Sequence, residues 1–190
     1  MNLRLFIAML VVVASLTISV PAAVAQGREH LTPEEIDLVK DAQILDKRID
    51  IFIKAAERRM IALGAPDTTS PKQAKKDAES WGALPTGSRA ELILDIAKIF
   101  DEAITNIDDV STRDESNPLI PKALRKLSAA ASHIVEQLKP AEANAKSDDE
   151  LNSFDQLADN AQAIVEAANR LPPPVEKKSK SKVEKAKATN

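Results

Sequence analysis

Apolar and polar positions recur along most of this chain with the 3.6-residue period of amphipathic helices, and the gaps between periodic stretches hold residues that start or stop helices. The first stretch opens at "TPEE": Thr32 takes the N-cap, Pro33 the first helical position, and Glu35 the place from which a side chain reaches back to the cap. The pattern predicts one long helix over 33–63, stopped by Gly64. A second helix is expected over 88–110, opened by a capping box of Ser88 and Glu91. A third is expected over 118–139, closed by Pro140. A fourth, over 148–171, opens at "SDDE" with Ser147 and Glu150 as a capping box and acids at the positive helix end. "PPP" at 172–174 forbids its continuation. The connection 64–87 has room for a short extra helix around 71–81, at the chain's single tryptophan, Trp81.

The first stretch is apolar on two sides. Leu38, Ala42, Leu45, Ile49, Phe52, Ile53, Ala56, Met60 and Leu63 form one stripe. Ile44, Ile51, Ala55 and Ala62 form a second, about 120° away, across a lane holding Asp41, Arg48 and Arg59. The first stripe is read as core. The second is read as covered by Trp81 and the long connection, by a second copy of the chain, or by nothing. The other three stretches show one apolar face each, through Ile96 and Phe100, Leu127 and Ile134, and Leu157 and Ile164. With no convincing strand alternation and few aromatic residues, the expected fold is all-α. It is an up-down four-helix bundle with a long first helix and an extra short helix in the first connection.

The ends of the chain change the picture. Arg4, the apolar run over 5–20 and the small residues Ala23 and Ala25 have the layout of a signal peptide, so residues 1–25 are expected to be cleaved before Gln26. This implies an exported protein, periplasmic or secreted, with no transmembrane span in the mature chain. It also contains no cysteine, so its stability rests on packing alone. The mature chain carries a net charge of −4, divided unevenly. The segment 175–190 holds six lysines (Lys177, Lys178, Lys180, Lys182, Lys185 and Lys187) against two glutamates, leaving 26–174 at −8. Residues 172–190 are read as a proline hinge and a disordered lysine-rich tail, and 26–171 as the folded domain. An acidic body does not fit specific nucleic-acid recognition.

Candidate chemistry is sparse. The core stripes carry no ionisable residue, whereas cofactor-holding bundles project ligands inward. His133 and Glu136 sit one helical turn apart but point away from the apolar face, and His30 precedes the first helix in a segment expected to be mobile. The acidic stretch Asp108, Asp109, Asp114 and Glu115 lacks calcium-loop spacing. Arg48, Arg58 and Arg59 are read as an exposed strip paired with Asp41, Asp50 and Glu57. No catalytic, cofactor-binding or metal-ligating residue is assigned. The expected function is non-enzymatic, as an interaction or structural module of the cell envelope with an unknown protein or envelope partner and a homodimer as one possibility. Ile44, Ile51 and Trp81 are the candidate interaction surface, and the six tail lysines are candidates for anionic surfaces. A small-molecule or metal-binding bundle is the reading from another class.

Overall fold

The computed structural model describes residues 28–67 and 70–173. Among them the chain forms six helices and no strand: α1 (Pro33–Asp41), α2 (Leu45–Ala62), α3 (Pro71–Trp81), α4 (Arg89–Arg113), α5 (Leu119–Glu142) and α6 (Asp148–Asn169). The fold is all-α. The expected signal peptide over 1–25 and the lysines of 175–190 lie outside the described residues.

Side-chain caps open four of the helices. Thr32 and Glu35 form the box at α1, and Ser88 and Glu91 the box at α4, each with both reciprocal bonds. Ser70 caps α3 ahead of Pro71. At α6, Ser147 accepts the Glu150 N–H at 3.2 Å, but the glutamate's return bond goes to the N–H of Lys146 at 3.1 Å, one residue before the cap.

Two boundaries depart from expectation. The first stretch is not one helix: it breaks at 42–44, where Ile44 is extended and starts α2 with no side-chain cap. A continuous helix would hold Glu35 and Arg58 roughly 35 Å apart at 1.5 Å per residue. They are instead in contact at 3.0 Å, so α1 folds back against α2. Arg48 secures the corner by donating from Nε to the Ala42 carbonyl at 2.9 Å. The second departure is Pro140, which does not end its helix, since α5 continues to Glu142. Proline forfeits one backbone bond. The turn persists because Ala143 N–H bonds Lys139 at 3.1 Å and the Asn144 amide donates to the Pro140 carbonyl at 2.6 Å.

α4 and α5 each pack on both α2 and α6 and on one another, while α1 packs on α2 and α3. The interior is built from Ile49 and Phe52 of α2, Ile93, Ile96 and Phe100 of α4, Leu127 and Ile134 of α5, and Leu157 and Ile164 of α6. Leu31, ahead of α1, and Trp81, at the end of α3, are buried in the same cluster.

Candidate functional site

Four of the five buried charges among the described residues, Glu35, Arg58, Arg59 and Asp95, lie together on α1, α2 and α4 beside the end of α3. Glu35 is fully buried, with Arg59 1% and Asp95 3% exposed. Glu35 uses both oxygens: Oε2 accepts the Thr32 N–H of the capping box at 3.0 Å, and Oε1 accepts Arg58 Nε at 3.0 Å and Arg59 Nη1 at 2.6 Å. Arg59 also donates to its own helix at the Ala55 carbonyl (2.9 Å) and, through Nη2, to the His30 carbonyl (2.6 Å). A buried carboxylate between two guanidiniums repays desolvation only when its remaining valences are satisfied, and here they are.

Residues 28–31 close over this cluster as a strap. Arg28 Nη2 lies 2.9 Å from Asp95 Oδ2 and 2.5 Å from the Thr86 carbonyl. His30 Nε2 lies 2.8 Å from Glu102 Oε2, so His30 is held against α4 rather than in a loose segment. The Arg28–Asp95 approach is close but out of line for a hydrogen bond, and Asp95 Oδ2 and Arg59 Nε have no hydrogen-bond partner. Burial pushes the Asp95 carboxyl above the ordinary aspartate value, with Arg28 and Arg59 pulling it partly back.

Arg58 fixes α3. Its Nη2 donates to the carbonyls of Trp81 (3.0 Å) and Ala83 (2.5 Å), so one guanidinium joins Glu35 to the carbonyl-rich end of α3. Lys54 and Arg58 lie 4.8 Å and 5.7 Å from the Trp81 ring centre, within cation–π range. Lys54 also pairs with Asp77 of α3 at 2.6 Å. Burial alone would raise Asp77, but its bonds from Lys54 and Gln73 prevail and hold it below the ordinary value. Gly82, at φ +64, turns the chain out of α3, and a Cβ there would come within 2.9 Å of the Glu34 side chain.

A second ion group ties the start of α2 to α5. Asp46 meets Lys122 and Lys126 at 2.8 Å each, and Asp50 meets Lys126 at 2.6 Å. Those lysine bonds hold Asp46 below its ordinary value. Burial works against the charge of Lys126, yet its bonds to Asp46 and Asp50 raise its pKa overall.

These placements correct the reading of helix one. Arg58 and Arg59 are not an exposed strip, and the interior is not free of ionisable groups. Ala55, assigned to the second apolar stripe, is fully buried. The lane holding Arg59 is therefore the middle of one broad buried face rather than a gap between two. Of the candidate surface residues, Ile44 is 57% exposed, Ile51 is half-buried and Trp81 is 7% exposed beneath two cations. Ile44 stands ten positions from Lys54, roughly 15 Å along the helix, so the three do not form one patch. His133 is exposed, and Glu136 pairs with Lys139. Among the described residues no cluster of three or more His, Asp or Glu is placed to hold a metal ion. None also is long and apolar enough, as a helix, to cross a membrane. None of the family models, curated proteins or solved structures compared with this chain matches it.

Proposed function

We propose that this chain is an exported, non-enzymatic protein that acts as an interaction or structural module of the cell envelope, and that α2, α4, α5 and α6 form an up-down four-helix bundle. The packing of α4 and α5 on both α2 and α6, with connections of only 114–118 and 143–147, supports the antiparallel arrangement. The observation that carries the functional reading is the use made of the buried charges. Glu35, Arg58 and Arg59 bond to one another, to a helix cap and to backbone carbonyls, so they serve as internal fastenings. Export rests on Arg4, the apolar run and Ala23/Ala25.

Contact with partners falls to the surface, where Ile44 is the most exposed large apolar side chain among the described residues, and to the tail lysines. Cell fractionation followed by a pull-down with the tagged mature protein tests the reading. Recovery outside the cytoplasm with an envelope component, lost on Ile44→Glu or on truncation at Leu171, is expected. A cytoplasmic protein of unchanged length defeats it. Should the tail be the attachment, binding to anionic vesicles will depend on residues 172–190 and weaken with salt.

A further inference from the structure

At the end of the interior away from the ion group of Asp46 there is a cleft of about 510 Å³, within the size range of small-molecule sites. It is backed by the core residues Met60 of α2, Ile93 of α4 and Leu138 of α5, which are buried, and its accessible apolar lining is Leu63, Ala65, Pro140 and Ala141. One wall is set by the end of α2. Gly64, at φ +98, lets Ala65 N–H reach back to the Met60 carbonyl and Gly64 N–H to the Ile61 carbonyl, both at 2.9 Å. This pairing is the Schellman closure, and it turns Ala65 and Pro66 over the opening. The opposite wall is the turn of α5 that continues past Pro140.

The rim is polar and carries one cation. Arg89 lines the cleft with the amides Gln137 and Asn144. Its guanidinium is held in place: Nη2 donates to the Ala141 carbonyl at 2.5 Å, and Nε forms an ion pair with Glu150 Oε1 at 3.9 Å, which leaves the other edge of the guanidinium toward the cleft. A guanidinium has five N–H donors, and one bond leaves capacity for an anionic head group.

We propose that this cleft binds a single-chain anionic amphiphile of the fatty-acid class, its acyl chain along the accessible apolar lining of Leu63, Ala65, Pro140 and Ala141 and its carboxylate at Arg89. The apolar lining selects the chain, and the single cation selects one negative charge over a polyanion. The assignment goes beyond the envelope reading and holds whether or not the chain is exported.

Isothermal titration of the purified protein, in the form in which it accumulates, tests it with decanoate, decanol and decyltrimethylammonium below their micelle concentrations, and with octanoate and dodecanoate as length variants. Expected are saturable one-to-one binding of decanoate and roughly fourfold weaker affinity per methylene removed. Arg89→Gln is expected to weaken decanoate about tenfold while leaving decanol unchanged, with Arg89→Lys restoring most of the loss. Because Arg89 also holds Ala141, Gln137→Glu on the exposed rim probes the same point independently, weakening decanoate and strengthening the cation. Binding that does not saturate, that ignores the head group, or that is unmoved for decanoate by both Arg89→Gln and Gln137→Glu overturns the proposal.

Discussion

Replacing Glu35 by alanine removes the one carboxylate that faces both Arg58 and Arg59. Three bonds disappear: those from Arg58 Nε and Arg59 Nη1, and the one from the Thr32 N–H. Arg59 keeps its bonds to the Ala55 and His30 carbonyls but is left as a charge with 1% of its surface in water. Removing one partner of a buried ion pair costs about 3–5 kcal/mol, chiefly because the other charge is stranded. The lost capping bond adds about 1 kcal/mol on its own, though neighbouring effects do not simply sum. A net loss of about 4 kcal/mol is expected, a large share of the roughly 5–15 kcal/mol that holds a domain of this kind folded. The assay is urea unfolding followed by circular dichroism, where the midpoint should fall with little change in slope. Salt at about 0.5 M should leave most of the difference in place, because a pair without solvent around it is poorly screened. The double variant Glu35→Leu with Arg59→Met should lose much less than the two single changes added together. A Glu35→Ala loss below about 1 kcal/mol, the scale of an exposed pair, would refute the reasoning.

Three further outcomes are expected. The lowered pKa of Asp46 stabilises the fold above the ordinary value of 3.8, and that contribution disappears as pH falls through the folded-state value. The urea-midpoint gap between wild type and Asp46→Asn should therefore be flat near neutrality and narrow in acid; a gap that widens in acid contradicts the Lys122/Lys126 assignment. Gly82→Ala places a Cβ on a left-handed residue and 2.9 Å from Glu34, so a loss of about 1–2 kcal/mol and a shift in Trp81 fluorescence are expected. Ile44→Ala, at a position 57% exposed and without gain of a helix cap, should change stability by less than about 0.5 kcal/mol, so that any effect on partner capture belongs to the surface.

The helical class and most helix starts were legible because they depend on residues close together in sequence. Thr32 with Glu35 and Ser88 with Glu91 form their boxes within a single turn, and Ser70–Pro71 opens α3 where the connection was expected to be helical. The break at 42–44 was not legible. "DAQI" contains neither glycine nor proline, and nothing in its propensity separates it from helix. What divides α1 from α2 is long-range: Glu35 reaching Arg58 and Arg59, and Arg48 reaching the Ala42 carbonyl and Asn106. Pro140 misled in the opposite direction. A proline rule describes the cost of one lost bond, and the side chain of Asn144 sits where it can offset part of that cost.

The arginines carry the more general lesson. On a helical wheel Arg59 falls between Phe52 and Ala55, with apolar residues on both flanks. A charge framed in that way has two physical outcomes: its helix presents two separate faces, or the charge is inside with a partner brought to it. The sequence reading takes the first, with the arginines paired on the surface to Asp41, Asp50 and Glu57. The structure takes the second, and the partner is Glu35, which also completes the α1 capping box. A carboxylate has two oxygens, and the cap uses only Oε2. The free Oε1, three residues into a helix beside an apolar run, was the sequence-level sign that another cation had to arrive. Once Arg59 occupies it, α1 can no longer continue straight into α2, and Arg58 on the next position is carried to the end of α3. One buried carboxylate thus determines the corner at 42–44, the seat of Trp81 and the closure of the strap over Asp95.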